Sequence, residues 1–433
     1  MEEVVLRKFF KTLSPFTGIA RFVSGGDYIN GDAYYHSYGA MNADISIIVG
    51  KPLAFKMSLR SSGGGLTINE ALFSTFGELV ERYSACFYNK NDLIFSSYKK
   101  IKDKAIDINE ISLFHEEQYK QENFPFVKLN EDLEIHWTWC YDITKNEYKL
   151  YPARLVYMPF LEKEPNIGFT TSNGLSNHTN FFRAILNGLY EIIERDAFMI
   201  AWSAHLDLPK IKINEELENY IRRIFPKNYE FHFIDITSDL GVPSIWVIVK
   251  IKTDFGDCIF STTSCRGSYN LAIKKVLKEV GQVGTYIRAL VNERTKNGWN
   301  PSFEDVKSFD DCMAFYNIKK EYIEPAFGKY LNKEPDLDVD FNENEKELKE
   351  KDEILNEIKR IIKIFKQKNY NVLIKDMTSP DIRQMGFYVV KVISPQLVPI
   401  HAEYKYPLLG SKRIYELTGK HFHQLNKFPY PFP

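Results

Sequence analysis

Ser74-Thr75-Phe76-Gly77-Glu78-Leu79-Val80-Glu81-Arg82 and Asn187-Gly188-Leu189-Tyr190-Glu191-Ile192-Ile193-Glu194-Arg195 are one acidic helical phrase written twice. In each, a polar residue is followed by carboxylates four and seven positions on and by an arginine at the eighth. At about 100° per residue these offsets place the polar residue and both carboxylates on one helical stripe. Leu72, Phe73, Phe76, Leu79, Val80 and Tyr83 form the opposite face of the first segment. Ile185, Leu186, Leu189, Ile192 and Ile193 do so in the second. Either segment alone also reads as an ordinary amphipathic helix with a solvated acidic face. The repetition of spacing and of the Glu-Arg ending favours a shared site. Two such helices side by side converge four carboxylates, a hard, oxygen-rich environment suited to Mg²⁺ carrying a nucleotide triphosphate.

The 433 residues can hold a large core, and 56 Lys plus Arg nearly balance 57 Asp plus Glu. No strongly basic field exists to recruit nucleic acid, so a bound polyanion is expected to be a small phosphate ligand held locally. Met1-Glu2-Glu3-Val4-Val5 lacks a signal-peptide pattern, and no run approaches the ~18 apolar residues of a membrane span. A cytoplasmic protein is expected. The five cysteines contain no C-x-x-C pair and read as buried free thiols. The 26 Tyr and 32 Phe suit an extensive sheet core or a groove for an extended peptide.

Strands are expected after the turn at Pro15–Gly18 and at Ile45–Val49. Ser61-Ser62-Gly63-Gly64-Gly65 reads as a glycine loop before a Thr67-x-x-Glu70 capping box, which places a helix start near Ile68. Such a loop at a helix N-terminus favours an anion, though a plain turn explains it as well; no Gly-Lys-Ser/Thr follows, so it is not a Walker loop. Thr170 to Ser176 forms a second loop before the second acidic helix, which makes the repeated unit loop, helix and acidic stripe.

Further strands are expected at Ile135–Trp139, Tyr148–Val156, Tyr229–Ile236, Ser244–Lys252, Cys258–Ser264, Val372–Asp376 and Tyr388–Ile393. A helix at Ala272–Val291 presents Glu279, Gln282 and Arg288, and another carries Ile354, Ile358, Ile361 and Phe365 on one face. The charged stretch 319–352 reads as an exposed insertion. The class is α+β, with mixed or antiparallel sheets and helices gathered on one side.

The chain ends Asn426-Lys427-Phe428-Pro429-Tyr430-Pro431-Phe432-Pro433. Alternate prolines make this tail extended and stiff. It reads either as a frayed terminus or as a rigid arm that sets a free carboxylate inside a cavity.

Together with Leu13-Ser14-Pro15-Phe16-Thr17-Gly18-Ile19, Ser172-Asn173-Gly174-Leu175, Glu191-x-x-Glu194-Arg195-Asp196-Ala197, Glu279-x-x-Gln282 and Asp376-Met377-Thr378-Ser379-Pro380-Asp381-Ile382, these features resemble the YcaO family. The branch they resemble is the azoline-forming cyclodehydratases of ribosomal peptide and bacteriocin biosynthesis. The resemblance covers nearly the whole chain and implies a single composite domain, with its fold packed around an ATP-binding cavity. It implies that a Cys, Ser or Thr side chain of a precursor peptide attacks the preceding amide. ATP then phosphorylates the amide oxygen, and loss of phosphate leaves a thiazoline or oxazoline.

The same resemblance implies the cofactors ATP and Mg²⁺. It assigns Glu78, Glu81, Glu191 and Glu194 to metal, and Ser74, Arg82, Ser176, Asn187, Arg195, Glu279 and Gln282 to the nucleotide. The Pro433 carboxylate takes a catalytic role in managing protons, whereas Asp376, Thr378 and Asp381 read as a structural turn. The implied partners are the precursor peptide and a separate leader-binding protein. A flavin-dependent azoline oxidase and a homodimer are also compatible with it; a membrane is not.

Two departures stand out. Gly63-Gly64-Gly65 lies where the family often has Gly-Lys-Gly, and Arg183 lies where many members carry Glu. The alternatives are a thioamide- or amidine-forming enzyme and a catalytically silent scaffold that binds the precursor.

Overall fold

The computed structural model of the protein describes residues 2–26, 31–44, 48, 60–111, 113–252 and 256–431. The strand expected at Ile45–Val49, apart from Ile48, and the terminal Pro433 lie outside them. After helix α1 (Glu2–Phe10), strands β1 (Ala20–Gly25), β2 (His36–Asn42) and β3 (Arg60–Gly65) form an antiparallel sheet in that order. The expected glycine loop is therefore strand β3, running straight into helix α2 (Ile68–Ser84). The physical reason is close approach. A Cβ on Gly63 would stand 2.1 Å from the Thr75 nitrogen, and one on Gly65 2.3 Å from the Glu70 side chain. Only side-chain-free residues let this strand lie against the helix that follows it.

The central sheet runs β4 (Ile94–Ser97), β5 (Glu134–Asp142), β11 (Leu373–Asp376), β12 (Tyr388–Ile393) and β7 (Leu175–His178), with β6 (Glu147–Pro152) paired to β5. β7 replaces the end of the second expected loop, so both acidic helices follow a strand. The third sheet is β8 (Tyr229–Asp235), β9 (Ser244–Ile251) and β10 (Cys258–Cys265), with β9 in the middle. All pairings within the described sheets are antiparallel, which makes the fold α+β as expected.

Helix α3 (Phe181–Ser203) ties two of these sheets together. Its first half packs Ile185, Leu189 and Ile192 with Val390 and Val392 of β12 and with Ile358 and Ile361 of helix α6 (Lys351–Gln367). Its second half packs Phe198 and Trp202 with Trp246 and Ile248 of β9. Helix α4 (Tyr269–Lys296), longer than expected, covers the third sheet through Ile273, Val276, Val280 and Ile287.

Residues 319–352 are not uniformly solvated. Helix α5 (Ile323–Leu331) buries Phe327 and Tyr330 against Trp246, because its apolar face outweighs the charge flanking it. The tail is not frayed over its described part either. Pro429, Tyr430 and Pro431 are buried; the Ser261 hydroxyl donates to the Pro431 carbonyl at 3.0 Å, and Tyr316 donates to that of Pro429.

Asp196, directly after the second acidic phrase, is fully buried and held by Arg413 at 2.6 and 3.0 Å and by the Val398 amide at 2.9 Å. Asp239 closes the network on the same guanidinium at 2.8 Å. Removing one partner of such a pair leaves an uncompensated buried charge. Arg413→Met is expected to cost about 3–5 kcal/mol in chemical denaturation, as breaking a buried pair does; a cost near zero would show that the pair does not brace α3.

Candidate active site

The two acidic stripes face one cavity of about 2420 Å³. That exceeds the roughly 300–1,000 Å³ of ordinary small-ligand pockets. Ser74, Glu78, Glu81, Arg82, Ser176, Asn187, Glu191, Glu194, Arg195, Glu279 and Gln282 all line it. Every described residue expected at the site is thus brought together, whereas Pro433 lies outside the described residues. Asp381 instead accepts from Ser379 and from the Tyr83 hydroxyl, and Thr378 bonds to Val389 across the strand pair; the connection expected as a turn holds a short helix, Pro380–Gln384, because Pro380 at its first position favours a helix start.

The helices meet through strands. Gly77 on α2 opens room for Asn177 of β7, whose Nδ2 would be 3.0 Å from a Cβ there. Gly188 on α3 admits Val392 and the Gly174 carbonyl, at 2.6 and 3.0 Å from a Cβ. Each carboxylate then meets a backbone N–H. Glu78 accepts from Ser62 of β3 at 2.5 Å, and also pairs with Arg82 at 2.5 Å. Glu81 accepts from both the amide and the side chain of Asn177, at 2.9 and 2.8 Å. Glu194 accepts from the Cys265 amide of β10 at 3.1 Å and from the Thr263 hydroxyl at 2.7 Å. Glu191 is stabilised by the Gly174 amide.

These bonds do not cancel the cost of burial. Burial, with the fields of Glu191 and Glu78, pushes the Glu81 carboxyl up to about 8 despite its bonds to Asn177. Burial and the Glu194 charge push Glu191 up to about 7, against the pull of Arg195 and Lys391. Lys391 itself is lowered to about 8 by burial, Glu191 opposing the shift. Burial raises Glu279 too, but Lys275, Arg195 and Arg266 outweigh it and hold that carboxyl below the usual range. At Glu81 and Glu191 burial therefore outweighs the nearby cations, whereas at Glu279 the cations outweigh burial.

The donor set fits Mg²⁺ held jointly with phosphates. Among the described residues no group of three or more His, Cys, Asp or Glu side chains forms a metal cage by itself. Mg²⁺ commonly uses one or two carboxylates plus substrate phosphates and water rather than such a cage. Asn187 adds a buried Oδ1 without a hydrogen-bond partner among the described residues, an acceptor available to a ligand donor. The Ser176 hydroxyl donates to the Ala184 carbonyl at 2.7 Å, and Gln282 donates to the Ser62 hydroxyl at 3.1 Å.

Sequence reasoning missed Ser62, Asn177, Thr263, Lys391, Arg266 and Lys275. Two of them left a trace. Lys391 sits alone in the buried strand Tyr-Val-Val-Lys-Val-Ile, and Thr263 belongs to a strand whose eight residues are all buried, four of them Ser or Thr. Such polar groups need a buried partner.

Departures from the expected pattern also find a place. A Cβ on Gly64 would stand 2.3 Å from the Tyr35 ring and 3.1 Å from Gln282, so no lysine fits there without rearrangement. Arg183 lines the same cavity.

The profile of the YcaO family, described as YcaO cyclodehydratase, ATP- and Mg²⁺-binding, matches residues 62–398. A solved structure described as a heterocyclase in complex with substrate and cofactor superposes with TM-score 0.75 at 23% identity, covering 100% of this chain and 57% of that one. YcaO from Methanopyrus kandleri bound with AMPPCP and Mg²⁺ gives 0.60 at 15%, covering 94% and 93%. The E. coli microcin synthetase McbBCD complex gives 0.58 at 14%, covering 95% and 96%. An uncharacterized protein of Methanothermobacter thermautotrophicus is 26% identical over 192 residues, 42% of this chain and 46% of its own length. The chain thus spans about half the length of that relative and of the first heterocyclase. The structural likenesses, all below 25% identity, establish the fold, and the profile match over most of the chain establishes the family: the protein belongs to the YcaO family of ATP- and Mg²⁺-binding cyclodehydratases.

Proposed function

We propose that this chain is an ATP-dependent cyclodehydratase that phosphorylates a backbone amide oxygen of a ribosomal precursor peptide and closes Cys, Ser or Thr onto it as an azoline. The observation that carries this reading is the convergence of four carboxylates, Glu194 buried and the other three partly so, with several basic side chains in one cavity far larger than a nucleotide needs. The surplus volume suits a peptide. We also read the chain as one composite domain, since the cavity takes residues from all three sheets.

In this reading Glu78, Glu81, Glu191 and Glu194 hold Mg²⁺ and, with it, the phosphates. Ser74, Arg82, Ser176, Asn187, Arg195, Glu279 and Gln282 hold the nucleotide. Bound MgATP supplies the phosphoryl group that turns a poor leaving oxygen into a good one. The residues supply position. Arg195 and Arg82 offset charge that accumulates on the phosphates, and backbone amides fix the carboxylates before any ligand arrives. The Pro433 carboxylate exchanges protons with the reacting amide during ring closure; anchoring of the described tail at Pro429 and Pro431 supports this role. A separate leader-binding protein delivers the peptide; that the similar E. coli microcin synthetase McbBCD is itself a complex supports the need for a partner.

Glu78→Gln or Glu191→Gln is expected to lower Mg²⁺- and precursor-dependent ATP hydrolysis by at least about 100-fold, the scale on which lost transition-state electrostatics act. Wild-type turnover in EDTA, or full activity in both variants, would remove the metal assignment.

Each ring closed lowers the precursor mass by one water. Mass spectrometry of precursor treated with enzyme, partner and MgATP is expected to find that loss. Exchange of oxygen for sulfur would point to thioamidation, and an unchanged mass to a binding scaffold.

The Glu81 carboxyl binds a proton more tightly in the folded chain than in the unfolded one, so its contribution to stability falls as pH rises from the ordinary carboxylate range through about 8. Glu81→Gln should remove that penalty. Its ligand-free Tm is expected to exceed the wild type's at pH 8 and to converge with it at pH 5, measured by calorimetry without metal or nucleotide. A lower Tm at pH 8 would contradict the buried, repelled carboxylate.

A further inference from the structure

Arg183 and Arg266 come from different elements and close on one carboxylate. Arg183, in the first turn of α3, reaches Glu347 at 2.7 Å and the Leu348 carbonyl at 3.0 Å. Arg266, directly after β10, reaches the other oxygen of Glu347 at 3.2 Å and the Cys265 carbonyl at 2.7 Å. Both guanidiniums are largely buried, with 11% and 13% of their side chains exposed, whereas Glu347 keeps 40%. All three line the large cavity. The arginines are therefore wall, and the carboxylate is the more exposed partner of the three.

Their position ties them to the acid cluster. Arg183 shares the stripe of Asn187, Glu191 and Glu194, at i, i+4, i+8 and i+11. Arg266 follows the residue whose amide holds Glu194, and its field reaches Glu279 together with that of Arg195. Glu347 belongs to a strap before α6 whose described anchors are nearly all polar. The Glu345 carboxylate accepts from Ser268 at 2.6 Å and Asn270 at 2.8 Å, Lys274 donates to the carbonyls of Glu343 and Glu345, and only Leu348 adds an apolar contact. Two guanidiniums in fixed positions around one carboxylate make the geometry that also grips a phosphate.

We propose that Arg183 and Arg266 form an anion subsite for a phosphate of the nucleotide, and that Glu347 fills it in the ligand-free protein and is displaced when the nucleotide binds. This rests on the nucleotide reading above and adds two contacts and a competitor to it. It also gives a role to Arg183, one of the two departures from the family pattern. The competition sets a sign that a purely structural ion pair would not share. Removing the charge of Glu347 should strengthen nucleotide binding, because the arginines no longer have to release a carboxylate.

The test is equilibrium binding of MgATP to the full chain by calorimetry, for wild type, Glu347→Gln, Arg183→Gln and Arg266→Gln, with melting curves to verify folding. Glu347→Gln is expected to lower Kd about three- to tenfold, and each arginine variant to raise it by a similar factor, the range of a charge-assisted contact. Adenosine, which lacks phosphate, should bind all folded variants alike. An unchanged or raised Kd for folded Glu347→Gln overturns the displacement. Unchanged Kd in both arginine variants overturns the subsite. If wild type binds no MgATP at all, the nucleotide reading itself falls and takes this one with it; a wild type that binds, with a Glu347 variant that matches it, removes only the present inference.

Discussion

Backbone amides at the free edges of three sheets hold the carboxylates of the cavity in place. Ser62 lies on β3, Asn177 on β7 and Cys265 on β10, each an edge strand of its own sheet. An edge amide that points away from its sheet must find an acceptor or face water. A carboxylate buried without donors is costlier still. Each defect is the other's remedy, so edge amides of all three sheets converge on the acid cluster in addition to the apolar packing that joins the sheets. The glycines follow from the same constraint. Gly63 and Gly65 let β3 touch α2, Gly77 lets β7 reach it, and Gly188 lets β12 reach α3.

The remedy is partial, which is what a binding site requires. Hydrogen bonds from amides favour the ionised carboxylates, yet burial and mutual repulsion still hold Glu81 and Glu191 well above the ordinary carboxylate range. A cation entering the cluster is favoured by the repulsion it relieves. The opposite balance holds at Glu279 of the same cavity, where the charges of Lys275, Arg195 and Arg266 outweigh burial. A ligand that carries both a divalent cation and phosphates fits that division of charge, and the buried Asp196–Arg413 pair braces the helix from which Glu191 and Glu194 project.

The strap at Glu343–Leu348 links the charged middle of the chain to function. In composition it belongs to a solvated stretch. In place it forms a wall of the cavity and supplies the carboxylate that occupies two arginines.

The doubled acidic phrase was legible in the sequence because helical periodicity depends only on neighbours within a few turns, and the same is true of β5, β8 to β12 and of α4 and α6. Strands β2, β3, β4 and β7 were not legible. β4 and β7 are short, β3 is glycine-rich and β2 has no run of β-branched residues, and they are strands only because a partner edge or a helix lies beside them. Most of the site residues were read from local pattern and family resemblance. The residues missed, Ser62, Asn177, Thr263, Lys391, Arg266 and Lys275, carry no local signature strong enough to name them. They matter through contacts spanning many tens of residues, such as Asn177 with Glu81 or Thr263 with Glu194. The sequence by itself determined which helices are acidic, where the first of them begins, and that Pro429-Tyr430-Pro431 favours an extended path. Only the tertiary structure decided that strands bring the two stripes to one cavity, that the tail is buried as far as Pro431, and that Arg183 pairs with Glu347, because each depends on the three-dimensional approach of segments whose own residues do not encode it.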